Sequence, residues 1–263
     1  RGKPACHRHP SPLDFIESVQ HSCNSYYAYT FRSIIDNPAY HSVADAFSAW
    51  RRHVLSFGIG KLLHTDLPHE LPGNVPSVDY YNRYFGKGKW KSATILSLGI
   101  GQGELGCTPL QMANVMAIIA NKGYYYVPHI LRSHQDSSGN YEMPPQFEER
   151  HRTTINRAYF DEVTEGMARV VESGTASYSR VKGITICGKT GTAQNPHGRD
   201  HSVFVAFAPE ENPRIAIAVL VENAGFGASW AAPIASLIIE KYLTDTITRP
   251  AVEDRIIQAN LLR

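Results

Sequence analysis

Two short polar clusters carry the side chains best suited to chemistry in this sequence. Ser22-Cys23-Asn24 sets a hydroxyl and an amide two residues apart, and Lys189-Thr190-Gly191-Thr192 sets an amine beside two hydroxyls. Because residues two apart on a strand project to the same face, Thr190 and Thr192 can meet one carboxylate. Taken singly, the first cluster is also typical of a helix cap or turn, and the lysine of a solvated strand edge. Only the two clusters together point to a site.

The second cluster also overlaps a nucleotide-binding pattern. Gly183 to Thr190 reads G-x-x-x-x-G-K-T, and Ile215 to Glu222 resembles the acid-ended strand that holds magnesium in phosphate-loop enzymes. A phosphate loop must curl and open directly into a helix. Here Ile184 to Cys187 favours an extended strand, and Gly191 and Pro196 break helices. We therefore expect a strand, with nucleotide binding through Gly183 to Thr190 as the alternative.

The sequence also contains the glycine pattern of a dinucleotide-binding site, but without the helix and the acidic residue that such a site needs. Gly101, Gly103 and Gly106 read G-x-G-x-x-G after a segment predicted to be a strand, Thr94 to Ile100. The following helix is predicted to begin only at Thr108, and no acidic residue stands about 20 positions further on to bind a ribose. We expect no dinucleotide site.

Ser179 and Lys182 read S-x-x-K, the spacing of nucleophile and base in a class of serine acyltransferases. Such a pair must share one helical turn so that the amine reaches the hydroxyl. Gly174 and Gly183 bracket this pair, which runs straight into a predicted strand. We expect a loop serine and a solvated lysine.

Helices with clear sequence signals must position these clusters. The strongest signal is Thr108 to Ala120, where Thr108 and Gln111 form a capping box, Pro109 suits the first helical position and Gly123 ends the helix. Other helices are predicted over Ser11 to Ile35 with a break around His21 to Asn24, over Val43 to Leu55, over Tyr159 to Glu172, and over Trp230 to Leu243 with Trp230, Ile234, Leu237 and Ile238 as its apolar stripe.

Strands are predicted over Gly183 to Gln194, Ser202 to Ala208 and Arg214 to Glu222. A short link, Pro209 to Pro213, makes the last two an antiparallel hairpin, and apolar residues on both of its faces predict central, doubly covered strands. Ser133 to Arg152 is polar and is predicted to be a loop. The fold class is α/β (α+β), an antiparallel sheet flanked by helices.

Composition narrows the classes of protein. With 43% hydrophobic and 19% charged residues the chain can bury a real core. The 26 basic and 24 acidic residues leave a formal charge of +2, which argues against nucleic acid as a partner. The longest apolar run, Ile215 to Val221, is too short to span a bilayer. Four cysteines are too few for a disulfide-built scaffold.

In order and type, the two clusters match the second and third motifs of the penicillin-recognising serine acyltransferases. Between them, Leu98 to Gly103 and Thr108 to Ala113 resemble the class B penicillin-binding proteins, as does Gly188 to Gln194. From about Ser11 to Leu243 the chain resembles the elongation-type peptidoglycan D,D-transpeptidases. The resemblance implies one domain over residues 1–263, part of a transpeptidase domain with the serine β-lactamase-like fold.

The resemblance also implies roles for the site residues. Ser22 would relay a proton to the leaving nitrogen, and Asn24 would hydrogen-bond the substrate amide. Lys189 would hold a positive charge near Ser22 and the substrate carboxylate, which the hydroxyls of Thr190 and Thr192 would bind. Gly191 would leave the opposite strand face free of a side chain, and the Thr192 N–H would be one oxyanion donor.

One departure from the family is the absence of its first motif, because no S-x-x-K precedes Ser22. We expect this chain to be N-terminally incomplete and unable to form an acyl-enzyme by itself. The implied parent cross-links D-alanyl-D-alanine stem peptides, binds β-lactams and works with cell-wall elongation proteins. It would be anchored in the bacterial cytoplasmic membrane with this domain in the periplasm. A D,D-carboxypeptidase or a β-lactam sensor would share the same motifs, and no cofactor is expected.

Cys6 and His9 have a C-x-x-H spacing that could begin a metal site, with Cys23 as a third ligand. Zinc sites beside S-x-N occur among some elongation-type relatives. Three ligands are an incomplete shell, and an unligated histidine with ordinary thiols is the alternative.

Overall fold

The computed structural model describes residues 6–135 and 138–261. These divide into two compact units. The first comprises residues 24–118, 123–135 and 138–156, and the second residues 6–23, 119–122 and 157–261. In the described part of the chain, no helix has the length and apolarity needed to cross a membrane.

The second unit is built on a three-stranded antiparallel sheet in the order β5-β6-β7, with β5 at Cys187–Ala193, β6 at His201–Ala208 and β7 at Ile215–Val221. Lys189 lies opposite Val205, and Thr192 opposite Ser202. The predicted hairpin is therefore confirmed, and so are the three strands, except that the first begins at Cys187 and not at the predicted Gly183. In this sheet β6 is central, with five fully buried residues, but β7 lies at an edge and none of its residues is buried. The prediction of a central, doubly covered β7 is wrong on both counts, because apolar composition alone gives a strand neither a second neighbouring strand nor cover on both faces.

Helices of the second unit flank this sheet. They are α1 at Phe15–Gln20, α7 at Tyr159–Glu172, α8 at Ala231–Thr244 and α9 at Pro250–Ile257. Helix α7 packs between α1 and β5, and α8 packs on β6 and β7. The predicted stripe on α8 is partly wrong, since Leu237 is buried whereas Ile238 is 46% exposed. Small residues, Ala231, Ala232 and Ala235, are buried on this helix instead.

The first unit is organised around an aromatic core. Helix α2 spans Asn24–Ile35, α3 spans Val43–Ser56 and α4 spans Val78–Phe85. Their buried faces enclose a cluster of mostly aromatic side chains joined by ring contacts of 5–6 Å, which includes Phe31, Phe47, Tyr81, Trp90, Ile95 and Leu98. The segment predicted as a strand at Thr94 to Ile100 forms 3-10 turns over Ser92–Thr94 and Leu96–Ile100, a correction explained by the burial of Ile95 and Leu98 in this cluster.

Helix α5, Pro109–Ala120, begins where the capping signal predicts. Thr108 and Gln111 exchange backbone-to-side-chain hydrogen bonds of 3.1 and 3.2 Å. The buried Gln111 amide also donates to the carbonyls of Gly58, Lys61 and Pro72, which fixes the loop that precedes α4.

The prediction of a loop over Ser133 to Arg152 is wrong for part of that range. Short antiparallel pairs form between β1, Tyr124–Tyr125, and β4, His151–Arg152, and between β2, His134–Gln135, and β3, Tyr141–Glu142. A one-turn helix, α6, spans Pro145–Glu148 and buries Phe147. Pairs of two residues leave too little periodicity for a sequence pattern to register.

Candidate active site

Ser22 lies in the turn that follows α1, with a backbone φ of +50° that non-glycine residues seldom adopt. Two backbone hydrogen bonds of 3.1 Å hold this turn, from the N–H of Ser22 to the carbonyl of Val19 and from that of Cys23 to the carbonyl of Ser18. Such strain persists where the surroundings fix a side chain in one place.

The position of this turn follows from how α1 packs on α7. Gly166 of α7 faces Val19 so closely that an added Cβ would lie 2.8 Å from the Cβ of Val19. Gln20 donates to the hydroxyl of Ser173 at 3.0 Å, and a Cβ on Gly174 would lie 2.5 Å from the Gln20 carbonyl oxygen. The small residues of the α7 region thus let α1 pack closely on α7. Because Ser22 directly follows α1, this packing also sets the position of Ser22.

Lys189 of β5 meets Ser22. Its Nζ donates to the Ser22 Oγ at 2.6 Å and to the Thr190 carbonyl at 3.1 Å. Desolvation by burial lowers the pKa of Lys189 to about 8. The two residues stand 167 positions apart in the sequence, and the structure brings them together as the two-motif pattern predicts.

Thr190 and Thr192 follow Lys189 on the same strand, and both are half-buried. Thr190 Oγ1 lies 2.8 Å from Thr175 Oγ1, a contact that orients its hydroxyl. Thr175 was not identified from the sequence, because nothing near it marks a partner 15 residues away.

Two glycines make room beside the strand. A Cβ on Gly191 would come within 3.3 Å of the Val203 Cβ on β6. A Cβ on Gly227 would lie 2.5 Å from the Gly191 carbonyl and 2.2 Å from that of Val203. Gly227, which sequence reasoning also missed, therefore lets the loop before α8 lie directly against β5.

Asn24 is the first residue of α2 and half-buried, and it belongs to the first unit. Its role stays a prediction.

Ser179 and Lys182, which have the S-x-x-K spacing, do not meet. Ser179 is buried in a 3-10 turn, Ser177–Ser179, and its Oγ has no hydrogen-bond partner among the described residues, while Lys182 is exposed.

The phosphate-loop alternative is wrong, because Gly188 to Thr190 lies within β5 and a Cβ on Gly188 would be 2.4 Å from the ring of Phe204. A strand paired along its length cannot curl around a phosphate.

Cys6, His9 and Cys23 come together beside the Ser22 turn. Their ligand atoms all lie within 4.8 Å of one another, with Cys6 Sγ 3.1 Å from His9 Nε2 and 3.8 Å from Cys23 Sγ. Two thiols and an imidazole are ligands that suit zinc, and a fourth ligand would complete a tetrahedral shell. These residues could hold such an ion.

Comparison with known proteins agrees with this geometry. The family described as penicillin binding protein transpeptidase domain matches residues 3–240, and the chain belongs to it. The peptidoglycan D,D-transpeptidase MrdA of Acinetobacter baumannii is 35% identical over 218 residues, which are 76% of this chain and 31% of the relative.

Solved structures give the same answer. Pseudomonas aeruginosa PBP2 in complex with WCK 5153 is 30% identical with a TM-score of 0.73, and the match covers 89% of this chain and 48% of that one. Helicobacter pylori PBP2, in its complex with MreC, is 25% identical with a TM-score of 0.69, covering 89% and 41%. The resemblance to the class B elongation-type proteins and the predicted fold class are confirmed. The chain spans about a third of the length of the curated relatives it matches.

Proposed function

We propose that this chain supplies the proton-relay and substrate-anchoring half of a peptidoglycan D,D-transpeptidase site. The observation that carries the proposal is the 2.6 Å contact between Lys189 Nζ and Ser22 Oγ. It joins the second and third motifs of a serine acyltransferase at one place.

The contact has the polarity that proton transfer needs. Lys189 donates to Ser22, so the Ser22 hydroxyl keeps its own proton free to give to a leaving amine and can regain one from Lys189. A lysine with a pKa of about 8 exchanges protons near neutral pH more readily than an ordinary one. At pH 7 the amine is mostly protonated and also attracts the terminal carboxylate of a D-alanyl-D-alanine peptide.

The residues that follow Lys189 on β5 would bind that carboxylate. The hydroxyls of Thr190 and Thr192 would hydrogen-bond its oxygens, and Thr175 would hold the Thr190 hydroxyl in place at 2.8 Å. The Thr192 N–H would supply one oxyanion donor, and Asn24 would bind the substrate amide. The nucleophile would be the serine of an S-x-x-K motif, which does not precede Ser22 in this sequence.

The same site would recognise β-lactams, whose acyl-amide and carboxylate imitate the peptide. We place the whole protein at the periplasmic face of the cytoplasmic membrane, held by an N-terminal anchor and working with cell-wall elongation proteins, and the MreC complex of the Helicobacter pylori relative supports such a partner. A D,D-carboxypeptidase or a β-lactam sensor would use the same residues with a different acceptor, and family membership favours the transpeptidase.

Labelling by a fluorescent penicillin tests the proposal. The 263-residue chain should remain unlabelled, whereas a longer chain that carries S-x-x-K before Ser22 should become covalently labelled and lose the label when that serine is replaced. Calorimetry with ATP and magnesium is the control. Failure of the longer folded chain to label, or nucleotide binding that Lys189→Ala abolishes, would contradict the proposal.

A further inference from the structure

A basic surface lies at the end of helix α4 in the first unit. From Tyr80 to Gly103 the chain has no acidic residue, although the whole sequence has 26 basic and 24 acidic residues. Within this range the cationic side chains are all exposed: Arg83, Lys87, Lys89 and Lys91. None of them lies within ion-pair distance of a carboxylate in the described part of the chain. The local positive charge is therefore not neutralised within the unit, and it attracts anions.

Two exposed aromatic rings lie among these cations. Helix α4 ends with Tyr84 and Phe85, which are 70% and 47% exposed. The Tyr84 ring lies next to that of Tyr80, with centroids 4.8 Å apart, and the Phe85 ring is stacked on the buried Tyr81 at 6.3 Å. Each exposed ring is thus held against an inner ring, which fixes its position on the surface.

The turn after α4 holds the lysines close to these rings. Gly86 and Gly88 have positive φ angles of +90° and +71°, which glycine adopts without strain. The N–H of Lys89 donates to the Gly86 carbonyl at 3.1 Å. Trp90 then returns the chain to the aromatic core, where its Nε1 donates to Asn82 Oδ1 at 2.9 Å. The lysines of this turn are therefore kept beside the end of α4.

We propose that this surface, the α4 patch, is a binding site for the glycan strand of peptidoglycan. It is formed by Arg83, Tyr84, Phe85, Lys87, Lys89 and Lys91. The apolar C–H face of a sugar ring packs on the face of an aromatic ring, and the strand repeats such sugars. Its stem peptides carry carboxylates, which the amines and the guanidinium attract. The inference rests on the proposed function, because its ligand is the polymer of that reaction.

The exposed side chains favour a polymer over a membrane surface as the ligand. A helix that binds in a lipid headgroup layer buries an apolar face along its length. Within the α4 patch the apolar surface is that of Tyr84 and Phe85, at the end of an eight-residue helix, and both rings are held against inner rings. Two fixed rings among cations match a strand on which sugar faces alternate with carboxylates.

Binding of soluble, uncross-linked glycan strands with intact stem peptides to the 263-residue chain tests the inference, measured by microscale thermophoresis. Replacing Tyr84 and Phe85 together by alanine should weaken binding about tenfold, because the sugars lose their aromatic contacts. Lys87→Gln with Lys89→Gln should weaken it about three- to tenfold and reduce its dependence on salt, which screens exposed charges.

Matched controls change equally exposed residues elsewhere on the chain. Tyr159→Ala with Tyr178→Ala removes two exposed rings of the second unit, and Lys61→Gln with Lys182→Gln removes two exposed amines. Both controls should bind the strands as the parent does. Strands whose peptides have been removed by an amidase should bind more weakly than intact strands, and with less dependence on salt.

Parental binding by either α4-patch variant, or equal weakening by its control, would overturn the inference. Circular dichroism checks that each variant is folded, and the lysine variant changes only solvated side chains, so a misfolded aromatic variant would not decide the outcome. Vesicles of phosphatidylglycerol and phosphatidylcholine should not bind. If they bound and the same substitutions abolished that binding, the α4 patch would be a membrane surface and the inference would be wrong.

Fluorescent penicillin separates this inference from the proposed function. Penicillin carries no glycan strand, so the longer chain with Tyr84→Ala and Phe85→Ala should label as fast as its parent. Labelling without strand binding would contradict the α4 patch alone. Strand binding that depends on the α4 patch, in a longer chain that does not label, would support the patch and contradict the proposed acyl transfer.

Discussion

Two serine–lysine pairs in the second unit differ in every respect that matters for chemistry. Ser22 and Lys189 are 167 positions apart in the sequence, yet their Oγ and Nζ atoms lie 2.6 Å apart. Ser179 and Lys182 have the S-x-x-K spacing, yet the Ser179 hydroxyl is buried without a partner and Lys182 is exposed. The Ser22–Lys189 contact is thus made by tertiary packing, whereas the S-x-x-K sequence at Ser179 lies in a local structure that forms no such contact.

Local geometry explains the difference. In an S-x-x-K motif the amine reaches the hydroxyl because one helical turn carries both residues, and the 3-10 turn at Ser177–Ser179 ends before Lys182. Lys189 instead stands on a strand, β5, that packs on α7, and α7 packs on α1. Two layers of tertiary contact bring the hydroxyl to the amine.

The largest effect should be on the rate of acylation by penicillin, which should fall when Lys189 is substituted but not when Lys182 is. In a longer, penicillin-labelled chain, Lys189→Ala should slow acylation about 10²- to 10⁴-fold, the usual loss for a positioned proton-transfer group. Lys182→Ala should leave the rate nearly unchanged because its amine is solvated. Labelling rates measured at sub-saturating penicillin check both variants.

If Lys189→Ala and Lys182→Ala slowed acylation equally, the two serine–lysine pairs would not differ in function. Circular dichroism of each variant excludes unfolding as the reason.

The second effect concerns pH. The pKa of Lys189 is about 8 in the folded chain, against 10.5 for an ordinary lysine. Between these values the unfolded chain binds more protons, so stability should rise with pH, by at most about 3 kcal/mol at pH 10.5. Below pH 8 both states are protonated and the contribution is constant.

Thermal unfolding of the parent and of Lys189→Met, compared at closely spaced pH values, measures this difference. The variant lacks the amine, so the gap between the two chains should change from pH 8 to 10.5 in favour of the parent. A gap that is constant across this window would mean that the amine is not desolvated.

The sequence could predict the elements whose signals are local. The capping box of Thr108 and Gln111 marks the start of α5, and β-branched residues with a proline-rich link mark the β6–β7 hairpin. It could not predict the 3-10 turns over Leu96–Ile100, because apolar residues buried by tertiary packing look the same in a strand. The exposure of Ile238 depends on which elements pack against α8, and the hydrophobic periodicity of a helix does not identify them.

The candidate site likewise combines features that the sequence predicts with features that only tertiary packing determines. Ser22 and Lys189 could be paired from the sequence only through the order of two motifs, since no local rule relates residues so far apart. Thr175 and Gly227 act through contacts made by folding, and neither carries a pattern of its own. Cys6, His9 and Cys23 could be proposed from spacing, but the distances between their ligand atoms, all within 4.8 Å, are known only from the folded structure.

A third effect tests the packing that brings Ser22 to Lys189. Gly166→Ala should destabilise the chain by about 1–3 kcal/mol, since the new Cβ would lie 2.8 Å from the Val19 Cβ and must push α1 away. It should also slow labelling of the longer chain. Gly183→Ala, beside Lys182, is the matched control, because a Cβ there meets open space and costs only the strain of a positive φ.

Urea unfolding and labelling rates measure both variants. A Gly166→Ala chain with parental stability and labelling would show that the approach of α1 to α7 does not position the serine.

The smallest effect should come from Ser179→Ala. Burying a hydroxyl without a partner costs free energy, so removing it should leave stability unchanged or raise it by up to about 1 kcal/mol. Labelling of the longer chain should also be unchanged, because the Ser179 hydroxyl makes no contact with a base. Ser22→Ala, which removes a hydroxyl that Lys189 holds at 2.6 Å, should slow labelling severely under the same conditions. If the 263-residue chain were labelled by penicillin and lost the label with Ser179→Ala, then Ser179 would be the nucleophile, and the local S-x-x-K would be a working pair after all.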